Sequence, residues 1–197
     1  MDHERPTPPG SRLDLRDAGA LRAMAHPARL RIIGMLRADG PATVGALAER
    51  LGEAPGSVSY HLATLAKHGF VEEAPELARD RRERWWRAAH EMTHWETTDF
   101  LDDPEGYDAA SAMRRAVLES YHRELLAALD AEPSLEREWV AASESGDGFF
   151  HLTAEEMRDF AAELDAVAER WRNRGRDPHD GSRGVRYITH VFPRTDA

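Results

Sequence analysis

Two histidines and a glutamate share the spacing of a zinc-dependent hydrolase motif. His90, Glu91 and His94 stand in the order H-E-x-x-H, in which two imidazoles one helical turn apart bind zinc and the glutamate activates a water. The motif follows a strand-like segment at Trp85 and Trp86, and no third ligand stands at a recognised spacing. We expect no enzyme, no catalytic residue, no metal and no cofactor. A zinc-dependent hydrolase, or a non-catalytic metal held by the two histidines, stays an alternative.

The composition excludes several further classes. Cysteine is absent from all 197 residues, which excludes disulfides, a cysteine nucleophile and thiolate metal sites. Hydrophobic residues make up 41% and charged residues 31% of the chain, as in ordinary globular proteins. No apolar run approaches the roughly 20 residues that span a bilayer, and the N-terminus lacks the blocks of a signal peptide. A soluble, cytoplasmic protein without membrane contact is expected.

The charge is unevenly distributed along the chain. The net charge is −10, yet residues 1–90 hold 14 basic against 12 acidic side chains, while residues 91–197 hold 12 against 24. Such asymmetry indicates two parts with different partners. The acidic second part should be repelled by nucleic acid, which leaves residues 1–90 as the part able to approach it.

The stretch 43–71 carries the most informative pattern. Two helices separated by Gly52-Glu53-Ala54 form a helix-turn-helix, whose second helix fits the major groove of DNA. In that helix a stripe of residues that faces the core is predicted. No side chain is expected to bond the backbone N–H groups of its first turn, so these groups can bind a DNA phosphate. The outward face has no carboxylate, which fits a nucleic-acid surface. The stripe is Val58, Leu62 and Leu65; the outward residues are Gly56, Tyr60, Ala63, Thr64 and Lys67, flanked by Ser57 and Ser59.

Histidine and arginine side chains add to this pattern. His61 lies at the edge of the buried stripe, where a core histidine bonded to backbone is favoured over one that reads bases. Downstream, four arginines cluster between two predicted strands, with Asp80 and Glu83 interleaved. A solvated charged turn would explain the cluster alone, but after a helix-turn-helix we favour a wing that reaches the DNA backbone or minor groove. The wing arginines are Arg79, Arg81, Arg82 and Arg84.

These residues must be positioned by an α+β, mainly helical protein with two folded parts. After a disordered tail at 1–10, a winged helix-turn-helix DNA-binding domain is predicted over 11–90. Its helices are expected at 13–24, from Pro27 to Gly40, from Thr43 to Gly52 and from Pro55 to Gly69, and its strands at 70–71 and 84–88. An acidic linker follows at 91–105.

A C-terminal helical domain with a small β-sheet is predicted over 106–197, for dimerisation and for an effector. We expect a long helix at 107–130, a short helix through Trp139, a helix from a Thr153/Glu156 capping box, and strands at 149–152 and 185–192. The long helix either pairs with its twin across a two-fold axis or packs within one chain. Five aromatic residues either line an effector pocket or form ordinary core: Trp139, Phe149, Phe150, Phe160 and Trp171.

Residues 13–88 resemble the winged-helix domain of ArsR-type bacterial transcriptional repressors. The matching residues are Ala25-His26-Pro27-Ala28-Arg29-Leu30-Arg31-Ile32, Ala46-Leu47-Ala48, and Val58-Ser59-Tyr60-His61-Leu62 with Leu65 and Gly69. The resemblance implies a homodimer that blocks an operator, expected to be palindromic, on double-stranded DNA and leaves it when an effector binds. It places DNA contacts on Ser57, Ser59, Tyr60 and Thr64, with the arginine wing outside.

The sequence departs from that family at two places. Thr43-Val44-Gly45 stands where metal-sensing members carry Cys-Val-Cys, so thiolate sensing is excluded. Ala54 replaces the serine that usually caps the recognition helix, which removes a cap worth ~1 kcal/mol. A transcriptional repressor is the favoured interpretation, and a winged helix used only for protein contacts is the other alternative beside the hydrolase.

Overall fold

The computed structural model describes residues 11–80, 83–175 and 178–195. The tail predicted at 1–10 lies outside these residues. By its internal contacts the chain divides into two compact units, Met1–Asp130 and Ala131–Ala197. In chain order the elements are β1 (Arg12–Asp14), α1 (Ala18–Met24), α2 (Pro27–Ala38), β2 (Ala42–Thr43), α3 (Val44–Leu51), α4 (Pro55–Lys67), β3 (Val71–Glu73), β4 (Trp85–Ala88), β5 (Met92–His94), α5 (Pro104–Ala131), α6 (Arg137–Ala142) and α7 (Ala154–Arg174).

Two small sheets accompany the helices of the first unit. The strand order in the larger one is β2-β4-β3, and both pairings are antiparallel, with Thr43 opposite Trp85 and Val71 opposite Ala88. In the smaller sheet β1 and β5 run parallel. Four helices followed by a β3–β4 hairpin give the winged helix-turn-helix arrangement, so the predicted α+β, mainly helical fold class is confirmed.

The core of the first unit gathers apolar side chains from α1 to α4 and from the sheet. Burial of these side chains is the dominant stabilising contribution, at about 1.5–3 kcal/mol for each large one. Trp86 closes the core from the wing strand β4. The largest fully buried side chains are Phe70, Leu21, Met24, Ile32, Leu47, Leu62, Leu65 and Val58.

The first predicted helix was wrong in its N-terminal part. Residues 12–14 form strand β1, whose register sets Leu13 opposite Thr93, and α1 begins only at Ala18. Asp17 is the N-cap and accepts a hydrogen bond from the Ala20 N–H at 2.8 Å. The Leu15 N–H extends the pairing with β5 by donating to the His94 carbonyl at 2.8 Å, and the Asp17 cap fixes the start of the helix after it.

The predicted boundary at 91–105 also needs correction. β5 lies inside that segment and pairs with β1, and Phe100 is buried in the core. The first half of α5 joins the same core through Ala109, Ala110 and Met113. The division between the units therefore falls after Asp130, and 91–105 is a folded segment of the first unit.

The second unit contains α6 and α7. Thr153 and Glu156 form the predicted capping box, with the Thr153 hydroxyl accepting from the Glu156 N–H at 3.2 Å. The strands predicted at 149–152 and 185–192 are wrong, because neither segment has a ladder partner in the described chain, and β-propensity alone does not hold a strand. No residue of 131–175 or 178–195 is buried. Among the described residues no helix is both long and apolar enough to cross a membrane.

Candidate nucleic-acid interface

The two helices of the motif are fixed by local signals. Thr43 caps α3 by accepting from the Ala46 N–H at 3.2 Å. Gly52 ends α3 at φ +70°, and its N–H bonds the carbonyls of Ala48 and Glu49. Because that backbone conformation strains any residue with a Cβ, glycine sets the turn between the helices. Ala54, as predicted, offers no side-chain hydrogen bond to the described first turn of α4.

Helix α4 has a buried side and an exposed side. Val58, Leu62 and Leu65 are each 0% exposed, which confirms the predicted stripe. Tyr60 on the other side is 69% exposed, the Thr64 hydroxyl donates to the Tyr60 carbonyl at 2.9 Å, and Thr64 is half-buried. Ser57, Ser59 and Lys67 are exposed. The predicted contact residues of this helix therefore share one accessible face.

A carboxylate that the sequence analysis missed lies at the start of this face. Glu53, in the turn before α4, accepts a hydrogen bond from the Ser57 hydroxyl at 2.7 Å. His61 Nε2 lies 3.7 Å from the same Glu53 oxygen and 3.5 Å from Ser57 Oγ. The four-residue spacing of 53, 57 and 61 was the available signal, because it places the three side chains on one side of consecutive turns.

His61 is buried as predicted, but its polar partners differ from the prediction. Its ring lies 4.7 Å from the ring of His26, and Nδ1 has no hydrogen-bond partner within the described ranges, so the expected bond to backbone is wrong. His26 is the N-cap of α2 and accepts from the Ala28 N–H at 3.2 Å. Burial lowers the pKa of His26, and the charges of Arg29 and His61 lower it further. The Glu53 carboxylate acts in the opposite direction and raises the pKa, but its effect is smaller.

Two of the predicted wing arginines, Arg79 and Arg84, lie in the described part of the wing, and each is bonded to a carboxylate. Arg84 is ion-paired with Glu73 and stacks over Trp86, 5.3 Å from the ring centre. Arg79 is exposed, and its backbone N–H donates to Glu83 at 3.0 Å. Arg81 and Arg82 lie outside the described residues. The described wing is therefore less positive than its arginines alone suggest.

Glu83 and Arg87 organise the base of the wing. The Glu83 carboxylate also accepts a hydrogen bond from Trp85 Nε1 at 3.3 Å. Glu83 therefore helps to fix the start of strand β4, in addition to lowering the positive charge of the wing. Arg87, which the sequence analysis did not single out, is 13% exposed and pairs with Glu72 at 2.7 Å and with Glu76. Burial opposes its charge, but the two carboxylates outweigh burial and raise the pKa of Arg87.

The H-E-x-x-H segment contributes to the fold through strand β5 and through hydrogen bonds from Arg37. His94 belongs to strand β5 and contacts Glu96 at 2.8 Å, so the two histidines do not stack one helical turn apart. The His90 carbonyl accepts from Arg37 Nε at 2.9 Å, and Thr93 Oγ1 accepts from the same guanidinium at 2.7 Å. Burial lowers the pKa of Arg37 to about 10, although Tyr121 acts in the opposite direction. In the described part of the chain no group of three or more histidine, aspartate or glutamate side chains could hold a metal.

The five aromatic residues of the second unit form neither a buried core nor an enclosed pocket. Phe149, Phe150 and Trp171 are 77%, 65% and 61% exposed, and Trp139 and Phe160 are half-buried. The rings of Phe150 and Phe160 are 5.4 Å apart.

One family model and several solved structures are similar to parts of this chain. A family model described as a helix-turn-helix domain matches residues 24–74. No curated protein matches the sequence. Among solved structures, reduced HlyU from Vibrio cholerae N16961 is 24% identical over 51% of this chain and 86% of that one, with a TM-score of 0.33. An apo mutant of ZitR from Lactococcus lactis is 17% identical over 75% of this chain and 83% of that one, with a TM-score of 0.32. The chain carries a winged helix-turn-helix domain, the class of domain through which transcriptional regulators bind DNA.

Proposed function

We propose that this chain is a cytoplasmic transcriptional repressor of the ArsR type, which binds a palindromic operator on double-stranded DNA as a homodimer and leaves it when a small-molecule effector binds. The observation that carries the proposal is the division of α4 into a fully buried stripe and an exposed polar face. A helix held rigidly by one side and accessible on the other is what insertion into the major groove requires.

The exposed face has the chemistry of a DNA surface. Ser59 offers a hydroxyl, and Ser57 offers one when it leaves its bond to Glu53. Tyr60 offers a phenol on a large exposed ring, and Lys67 brings a positive charge at the end of the helix. Hydroxyl and ammonium groups of this kind bond both phosphates and base edges. In this proposal α4 reads the major groove, with Tyr60 at the centre of its contact surface.

The wing supplies contacts to the backbone beside the groove. We assign this role to Arg79, Arg81, Arg82 and Arg84. Because Arg84 is already ion-paired with Glu73, its guanidinium must be shared between that carboxylate and a phosphate. We therefore expect Arg84 to contribute less to DNA affinity than an arginine whose guanidinium has no ion pair to break.

Helix α5 supports the dimer in the proposal. Its second half leaves leucines exposed: Leu118 at 50%, Leu125 at 54%, Leu126 at 47% and Leu129 at 62%. Leu118, Leu125 and Leu129 are spaced by seven and four residues, which places them along one side of the helix. A second copy that covers this side would join two α4 helices in one molecule, as binding to successive major grooves about 34 Å apart requires.

Binding to the DNA upstream of the chain's own gene tests the proposal. We would measure fluorescence anisotropy of that duplex with the full-length protein, with Tyr60→Ala, and with Tyr187→Ala, in which a 53% exposed tyrosine outside the first unit is the control. We expect Tyr60→Ala to weaken binding at least tenfold and Tyr187→Ala to leave it unchanged. Equal affinity of the three proteins for every duplex would contradict the assignment of α4 as the reading helix.

A second candidate is a winged helix that contacts proteins, because Arg84, just before strand β4, and Arg87, on that strand, are ion-paired with carboxylates. A surface with few uncompensated charges suits a protein partner better than a phosphate backbone. The two functions differ in their response to salt, because DNA binding weakens steeply as counterions compete.

A further inference from the structure

The Ser57 hydroxyl at the start of α4 is already committed to a carboxylate. It donates to Glu53 Oε2 at 2.7 Å. A serine hydroxyl has a single proton to donate, and phosphate oxygens only accept hydrogen bonds. Ser57 therefore cannot donate to a DNA phosphate until its bond to Glu53 is broken.

The negative charge of Glu53, like its bond to Ser57, opposes DNA binding. Its side chain is 30% exposed, and it lies one residue before the N-cap of the helix that is proposed to enter the groove. A carboxylate beside an approaching phosphate is a like-charge contact, which weakens binding most strongly at low salt.

We propose that Glu53 limits the DNA affinity of this protein, by holding the Ser57 hydroxyl and by placing a negative charge at the leading end of the recognition helix. The inference rests on the DNA-binding function proposed above. It identifies Glu53 as a residue that lowers operator affinity, although it lies in the turn and outside the set of predicted DNA contacts.

A route for releasing Ser57 is present beside the bond. His61 Nε2 lies 3.7 Å from the same Glu53 oxygen. In the tautomer that carries its proton on Nε2, His61 can donate to the carboxylate after a small rotation of the Glu53 side chain. The Ser57 hydroxyl then becomes available to DNA, while Glu53 keeps a hydrogen-bond partner.

The arrangement is not that of a catalytic serine. In a nucleophilic triad the serine bonds one nitrogen of the histidine and the carboxylate bonds the other. Here Glu53 Oε2 and Ser57 Oγ both lie near Nε2, the serine donates directly to the carboxylate, and Nδ1 has no hydrogen-bond partner among the residues described.

The test compares full-length variants for binding to the upstream duplex at low and high salt. Glu53→Gln keeps an oxygen that can accept from Ser57 but removes the charge, and Glu119→Gln removes one exposed charge from α5 as the matched control. We expect Glu53→Gln to bind about fivefold more tightly at low salt, the factor that corresponds to two unit charges 4 Å apart in water. The gain should shrink at high salt, and Glu119→Gln should bind as the unchanged protein does.

A double-mutant cycle tests the hold on Ser57 separately. In the Glu53→Ala background Ser57→Ala should weaken binding about threefold, a typical effect for one hydrogen bond. In the unchanged chain its effect should be smaller, because the hydroxyl must first leave Glu53. Circular dichroism would confirm that each variant is folded. A gain that is independent of salt, or no gain in Glu53→Gln, would overturn the inference while the DNA-binding proposal stands. If neither the unchanged protein nor Glu53→Gln binds any duplex, both fail together.

Discussion

Replacing Leu62 and Tyr60 in turn separates the structural and the reading roles of α4. The two residues lie two positions apart on one helix, yet Leu62 is 0% and Tyr60 is 69% exposed. Leu62→Ala removes apolar atoms from the centre of the core and leaves the exposed face unchanged. Tyr60→Ala removes a large side chain from the exposed face and leaves the core unchanged.

The expected size of each effect follows from burial. Loss of the buried atoms of Leu62 lowers the free energy of unfolding by about 2.5 kcal/mol through transfer alone, and the remaining cavity brings the total to about 3 kcal/mol. Tyr60→Ala should change stability by less than about 0.5 kcal/mol, as surface substitutions do.

Urea denaturation followed by circular dichroism measures both effects, with anisotropy on the upstream duplex beside it. We expect Leu62→Ala to be the less stable variant but to bind DNA normally at temperatures where it is folded, and Tyr60→Ala to be stable but defective in binding. A loss of less than about 1 kcal/mol in Leu62→Ala would contradict the packing of α4. An equally large loss in Tyr60→Ala would contradict the exposure of its ring.

Three further predictions concern other elements. Thr43→Ala should destabilise the first unit by about 1 kcal/mol in urea denaturation, because α3 loses its cap, whereas Thr43→Ser should not. The lowered pKa of His26 predicts that this ring does not affect stability well above about pH 6.5, where it is neutral folded or unfolded. As the pH falls through that value the ring lowers the free energy of unfolding, because the unfolded chain takes up the proton first. His26→Asn, which can still cap α2, should reduce that acid loss in denaturation measured from pH 5 to 8. Leu125→Glu with Leu129→Glu should convert a dimer to a monomer in analytical ultracentrifugation, and an unchanged mass would argue against α5 as the dimer surface.

Much of the first unit could be predicted from the sequence because its signals are local. Thr43, Gly52 and Pro55 mark helix ends by mechanisms that act within one turn, and the Val58, Leu62 and Leu65 stripe has the helical period. The exposed face of α4 follows directly from that stripe. These features required no knowledge of distant contacts.

The sheet of β1 and β5 could not be predicted in this way. Its strands are 80 residues apart in register, with Arg12 opposite Met92, and neither strand has an apolar pattern long enough to identify it. Helical and strand periods are indistinguishable over so few residues. The domain boundary was misplaced for the same reason, since the acidic segment contains β5.

The strands predicted at 149–152 and 185–192 fail for the opposite reason. Phe149 and Phe150, like Val185 and Tyr187, have high β-propensity, but a strand also needs a partner to satisfy its backbone. These side chains are exposed, so composition alone identified apolar segments without identifying their structure. The Glu53–Ser57 bond was missed because the face of α4 was assigned from the helix alone, without the turn before it.

Affinity for the upstream duplex as a function of salt tests the central claim most directly. We would titrate the full-length protein into that duplex and into a shuffled duplex of equal composition, at several salt concentrations. The account predicts tighter binding to the upstream duplex and a logarithmic loss of affinity with salt whose slope corresponds to several phosphate contacts. No binding to any duplex at low salt would contradict the claim that α4 and its wing form a DNA-binding surface.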